Sequence, residues 1–108
     1  MFNPLKMQEM LSQANQMKDE MQRKLDQTVV EGSSGGGAVT ATMNGKKELL
    51  KIRIDPAAVT SLSGDKADVE MLEDLVVAAV NDAGRHAEAA IQSSMKGMLG
   101  GLNLPGLG

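Results

Sequence analysis

The glycine-rich segment from Gly32 to Gly37 is the first place where this sequence could support chemistry. Its two outer glycines have the GxxxxG spacing of a phosphate-binding loop, whose backbone amides cradle nucleotide phosphates. Ala38 and Val39 stand where that motif requires a lysine and a hydroxyl residue. Because the phosphates would have no lysine partner, the segment is interpreted as a flexible hairpin connection and not as a nucleotide site.

His86 is the only histidine, and Asp82 precedes it by four residues, which places both side chains on one helix face. Such a pair could hold a metal weakly, but a stable site needs three or four ligands, and the chain has no cysteine. His86 is therefore interpreted as a solvated helix residue, and we expect no metal and no cofactor.

Catalysis has no residue pattern to support it. A serine or threonine nucleophile needs a base beside it, and acid–base catalysis needs carboxylates held in a pocket. The acids of this chain fall on predicted exposed helix faces, and 108 residues leave little room for a cleft. We therefore predict that the chain is not an enzyme and has no small-molecule substrate.

Contacts with nucleic acid are the remaining option, because basic and glutamine side chains are spread along two predicted helices. Phe2 is the only aromatic residue, which argues against stacking on single strands and leaves duplex as the target. The net charge of −3 opposes the approach of phosphates. Composition alone therefore favours an ordinary solvated charged surface over a nucleic-acid interface.

Two amphipathic helices are predicted to carry these side chains. The first begins at Asn3-Pro4, an N-cap followed by proline, and covers residues 4–26 with a methionine-rich apolar stripe. The second covers about residues 66–97, starts among acidic residues and ends at Gly97 or Gly100-Gly101. Residues 100–108 are predicted to form a flexible Gly/Leu tail.

A three-stranded antiparallel sheet is predicted between the helices, over residues 28–54. Alternation places Val39, Ala41 and Met43 on one strand face, and Asn44-Gly45 is a strong signal for a two-residue hairpin turn. In the third strand Lys51 and Arg53 point outward, and the apolar residues predicted to point inward are Leu50, Ile52 and Ile54. The fold class is therefore α+β, as a single domain over residues 1–99.

A homodimer is predicted from the length of the apolar stripes. A helix of about 30 residues is roughly 45 Å long, more than a short three-stranded sheet can cover. A second copy is the commonest partner for the uncovered part, and the edge strands could also pair with it. The alternative is that the two helices pack only against each other.

Several short stretches occur in an order that is typical of one family. They are Asn3-Pro4 before a Met/Gln-rich helix, Val30-Glu31-Gly32, Gly35-Gly36-Gly37, Thr42-Met43-Asn44-Gly45, Ile54-Asp55-Pro56, Leu72-Glu73-Asp74-Leu75 and Ala78-Ala79-Val80-Asn81-Asp82-Ala83. With the Gly/Leu-rich tail, this ordered set resembles the YbaB/EbfC family of nucleoid-associated proteins over nearly the whole chain.

The resemblance implies an α-β-β-β-α protomer in a tweezer-like homodimer, in the bacterial cytoplasm and on the nucleoid, with effects on gene expression. It also implies that the helices grip duplex DNA. Sequence specificity is expected to be low, because nothing resembles a helix-turn-helix. Carried onto this chain, the DNA-binding positions are Lys6, Lys18, Arg23, Lys24, Arg85, His86 and Lys96.

An adaptor for other proteins is the alternative function. It would use the methionine-rich stripe of the first helix or the acidic start of the last one, without binding DNA. No apolar stretch approaches the length needed to cross a bilayer, so no membrane association is expected.

Overall fold

Two long helices and a three-stranded antiparallel sheet make up the fold. The computed structural model describes the chain from Asn3 to Gly101. Its elements, in chain order, are α1 (Pro4–Gln27), β1 (Val29–Ser34), β2 (Val39–Asn44), β3 (Leu49–Ile54), α2 (Pro56–Thr60) and α3 (Lys66–Gly101), with a 3-10 turn at Gly35–Gly37. The strands lie in the order β1-β2-β3. The predicted α+β class and α-β-β-β-α order are therefore confirmed.

The core is built from small residues where α3 crosses the sheet. Ala79, Ala83 and Ala87, spaced one helical turn apart, are completely buried against the inward face of β2. Gly32 of β1 lies directly beneath them, and a Cβ atom there would be 2.1 Å from the backbone nitrogen of Ala83. The helix backbone therefore rests on the strand, which only glycine and alanine allow.

Gly32 was predicted to lie in a flexible connection, but it is a buried residue of β1. The connection is shorter and consists of Gly35, Gly36 and Gly37, which have φ angles of 61°, 68° and 97°. These angles lie in the left-handed region that glycine adopts without steric penalty. Gly32 therefore allows close packing against α3, whereas Gly35–Gly37 allow the sharp turn that follows β1.

The β2–β3 hairpin forms where Asn44-Gly45 predicted it, but the turn differs from the predicted two-residue type. The Asn44 side chain accepts hydrogen bonds from the backbone of Lys46 and Glu48, and the positive φ of 64° falls on Lys47. Gly45 is required for packing, because a Cβ there would lie 2.8 Å from the carbonyl oxygen of Leu25. The turn is therefore shaped around the end of α1.

A β-bulge in β3 overturns one prediction about the core. The register shifts between Thr42 and Met43, which pair with Lys51 and Leu49, so Leu50 is left outside the regular alternation. Leu50 is 53% exposed and does not point inward as predicted. Ile52 and Ile54 keep the predicted orientation and are half-buried against the core. Alternation alone could not locate the extra residue.

Helix boundaries differ from the predictions mainly at the end of α3. The helix continues through Gly97 and ends at Gly101, so it passes the first of the two predicted stops and ends at the second, Gly100-Gly101. Glycine weakens a helix by only about 1 kcal/mol, and isolated glycines do not end it. The connection after β3 contains α2, which Asp55 caps by accepting from the amide of Ala57. Residues 102–108 of the predicted tail lie outside the described residues.

The first helix is attached to the rest of the chain mainly at its C-terminal end. Leu25 is its buried residue, and its carbonyl oxygen accepts from the Gly45 amide at 2.8 Å. Met17 and Met21 are half-buried beside Ser94 of α3, whereas Met10, nearer the N-terminus, is 64% exposed. The predicted apolar stripe is therefore covered over only half of its length.

The described chain is strongly elongated. Its radius of gyration is 20.9 Å and its extents are 74 × 27 × 18 Å, whereas a compact domain of about 100 residues has a radius of gyration near 13 Å. The α1 helix and the C-terminal half of α3 approach each other where Met17 and Met21 lie near Ser94, and we call these two helical segments the prong. The sheet and the middle of α3 form its base.

Candidate nucleic-acid interface

The predicted cations of α1 are exposed, but they do not share one face. Lys6 and Lys24 lie five turns apart on the same line of the helix, whereas Lys18 and Arg23 are turned about 100–120° away from it in opposite directions. Glu20 lies one turn before Lys24, and its negative charge partly offsets the positive charge of that lysine. The structure therefore surrounds α1 with mixed charge and does not bring these four residues together as a basic surface.

The cations of α3 are better aligned. Arg85 and Lys96 are eleven residues apart, which is three turns and about 16 Å along one line of the helix. Gln92 falls within about 20° of the same line, and all three side chains are exposed. We call Arg85, Gln92 and Lys96 the α3 stripe. Gln92 was not among the predicted positions, although its spacing of seven residues from Arg85 could have identified it.

His86 is turned about 100° from the α3 stripe, toward the free edge of β1. Its Nδ1 atom donates to the carbonyl oxygen of Glu31, and its Nε2 atom lies 3.8 Å from Asp82 Oδ1. Since a carbonyl oxygen can only accept, Nδ1 carries a hydrogen. His86, which was interpreted as a solvated residue, therefore binds the sheet, while its side chain is still 54% exposed. Its contact with DNA stays a prediction.

Asp82 is the second contact between α3 and the edge of β1. Its Oδ2 accepts from the Ser33 amide at 3.0 Å, and its Oδ1 lies 3.2 Å from Nη2 of Arg85. The Ser33 hydrogen bond holds the pKa of Asp82 below its ordinary value, the charges of His86 and Arg85 lower it further, and desolvation opposes them. Asp82 and His86 together occupy two outward-facing backbone groups of β1.

Ion pairs hold the β2–β3 turn to both helices and neutralise two further lysines. Lys46 Nζ lies 3.1 Å from Asp26 of α1, and Lys47 Nζ lies 2.6 Å from Glu88 of α3. These two ion pairs therefore connect the turn to α1 and to α3. Lysines in ion pairs attract a phosphate less strongly than an unpaired lysine does. Lys96 forms no ion pair with the described residues.

The described residues contain no group of three or more histidine, cysteine or acidic side chains that could hold a metal ion. Between Asn3 and Gly101, no helix combines the length and the apolar character needed to span a bilayer. The surface hollows near α1 are shallow and are lined by residues such as Glu20, Lys24 and Gln27.

Comparison with known proteins defines the class of protein. A family model described as the YbaB/EbfC DNA-binding family matches residues 2–102. The chain is 70% identical over 104 residues to a nucleoid-associated protein of Acidobacterium capsulatum, covering 96% of each sequence. It is 52% identical to a nucleoid-associated protein of Koribacter versatilis, covering 91% of this chain and 92% of the relative. This chain belongs to the YbaB/EbfC DNA-binding family, as its ordered motifs predicted.

A solved structure supports the fold independently. The crystal structure of the uncharacterized protein HP0035 from Helicobacter pylori superimposes with a TM-score of 0.72, covering 92% of this chain and 99% of that one. The two sequences are 22% identical, so this likeness concerns the fold.

Proposed function

We propose that this protein binds duplex DNA with low sequence specificity and organises the nucleoid or affects gene expression from the cytoplasm. The observation that carries the proposal is the α3 stripe, an exposed line of hydrogen-bond donors on a member of a DNA-binding family. Donors of this type, spaced along a helix, contact backbone phosphates and carry little sequence information. Lys6, Lys18, Arg23, Lys24 and His86 remain proposed contacts of secondary weight.

The proposed active form is a homodimer. Apolar side chains stay exposed on α1, β3 and α2, including Met10, Leu11, Leu50 and Val59. Two copies that buried these side chains would gain about 25 cal/mol for each Å² of apolar surface removed from water. A dimer would also present two prongs, which is the arrangement expected for gripping a duplex.

The two sheet edges differ in a way that favours one docking side. Asp82 and His86 occupy backbone groups at the β1 edge, which closes that edge to another strand. No hydrogen bond among the described residues caps the outer edge of β3. We therefore place the second copy on the β3 side.

A pair of charge reversals tests the role of the α3 stripe in DNA binding. Lys96→Glu replaces a phosphate donor with a repelling charge, so duplex affinity should fall at least about tenfold at low salt. Lys66→Glu makes the same charge change at the other end of α3, where the lysine is 91% exposed, and should stay within about twofold of the unaltered protein. Equal affinities for the two variants, measured by fluorescence anisotropy, would contradict the proposal.

A further inference from the structure

The sheet has a polar face on the side opposite to α3. Thr40 and Thr42 of β2 pair with Arg53 and Lys51 of β3, and these four alternate with the inward-facing residues that pack under α3. We call them the outer sheet face. Both cations are exposed and both threonines are half-buried, so the hydroxyl groups lie between the charged side chains and the sheet surface.

Lys51 and Arg53 differ from four other cations of the described chain. Lys46, Lys47, Lys66 and Arg85 each lie within 4 Å of a carboxylate, whereas no such partner is found for Lys51 or Arg53 among the described residues. Three acidic residues share this face: Glu31 pairs with Thr42, two strand spacings or about 10 Å from Lys51, Glu48 accepts from the Asn44 side chain, and Asp55, two residues after Arg53, caps α2. Two of these carboxylates are held by hydrogen bonds within the fold, whereas Lys51 and Arg53 are exposed cations without an ion pair among the described residues.

We propose that the outer sheet face is a second phosphate-binding surface for duplex DNA, separate from the α3 stripe. The inference rests on the proposed function and extends it to a different side of the molecule. Lys51 and Arg53 are two residues apart on one strand, about 7 Å, so each can contact a phosphate of its own. Arg53 can donate two parallel hydrogen bonds to one phosphate, while Lys51 acts as a point charge.

Edge-strand protection is the other explanation for these charges, because lysine and arginine on an edge strand discourage pairing with further chains. The two explanations differ in their consequences. A protective charge has no effect on DNA affinity, and its loss promotes self-association. A phosphate contact contributes a counterion-release term, so its loss lowers the salt dependence of binding.

The test uses Lys51→Gln and Arg53→Gln, each compared with Lys66→Gln, which removes the same charge from a 91% exposed lysine away from the sheet. Binding to a labelled duplex is measured at several salt concentrations, and sedimentation and thermal melting confirm unchanged assembly and folding. We expect each sheet variant to bind about tenfold more weakly and to lower the slope of log affinity against log salt by about one. Lys66→Gln should match the unaltered protein.

The outcomes separate this inference from the function on which it rests. If the unaltered protein binds duplex and both sheet variants bind with the affinity and slope of Lys66→Gln, the outer sheet face is not a phosphate-binding surface. If the unaltered protein binds no duplex at low salt, the proposed function itself fails, and the inference fails with it.

Discussion

Gly32 sets the distance between α3 and the sheet. Any side chain at this position would collide with backbone atoms, since a Cβ would lie 2.5 Å from the Ala79 carbonyl oxygen and still closer to Ala83. Backbone cannot rotate out of the way as a flexible side chain can, so the whole helix would have to move. The position of the α3 stripe relative to the sheet therefore depends on a buried glycine that is not part of the stripe.

The first prediction concerns this glycine and a matched helical one. Gly32→Ala should lower the free energy of unfolding by about 3 kcal/mol, because it overpacks a backbone contact. Gly84→Ala should raise it by about 1 kcal/mol, since no atom lies within 4 Å of the new Cβ and alanine favours the helix. Urea denaturation measures both changes. A Gly32→Ala protein as stable as the unaltered one would contradict the packing described for α3.

The second prediction concerns Asp82 and pH. Its pKa is held below the ordinary value of 3.8 in the folded chain, chiefly by the Ser33 amide, so its charge stabilises the fold at neutral pH. That contribution is lost as the pH falls through 3.8 toward the lower folded-state value. Asp82→Asn should therefore have a lower free energy of unfolding than the unaltered protein at pH 7. This difference should become smaller as the pH is lowered. A difference in the free energy of unfolding that stays constant down to about pH 2 would contradict this role of Asp82.

At the scale of elements, helices and strands with a periodic residue pattern could be predicted from the sequence. Features that depend on a single contact could not. The period of α1 and the alternation of β2 extend over many residues, so both elements were predictable to within about two residues. The bulge at Leu50, the positive φ at Lys47 and the link from His86 to Glu31 each depend on one contact between distant segments. No local pattern encodes such contacts.

The candidate site was likewise only partly predictable from local sequence patterns. The cations of α1 and α3 were identified by residue type, but their directions depend on helix rotation and on their partners. Arg85 and Lys96 fall on one line, whereas His86, only one residue away from Arg85, is held against β1. The charge of Arg85 is also shared with Asp82. Residue type alone could not separate these cases.

The third prediction tests the difference between the two sheet edges. Leu50→Glu places a charge on the β3 side at a residue that is already 53% exposed, so the protomer should fold but not dimerise. Val77→Glu makes an equivalent change at a 57% exposed position on α3, turned away from the sheet, and should remain dimeric. Sedimentation equilibrium should give twice 11.4 kDa for the unaltered protein and 11.4 kDa for Leu50→Glu. A dimeric Leu50→Glu would rule out docking at β3.

At the scale of the whole molecule, shape and charge determine how this protein could hold a duplex. The chain extends over 74 Å with a net charge of −3, and its acidic residues are concentrated at the start of α3. The far half of α3 carries Arg85 and Lys96 and little acid, so a duplex would approach the prong more favourably than it would approach the start of α3. Because this attraction opposes an overall negative charge, it should be sensitive to salt.

The most direct test of the central claim is a titration of the unaltered protein into a fluorescently labelled duplex, followed by anisotropy at several salt concentrations. We predict saturable binding whose logarithm falls linearly with the logarithm of salt concentration, with similar affinities for two duplexes of unrelated sequence. Absence of binding at low salt would contradict the claim and would favour a role in contacting other proteins.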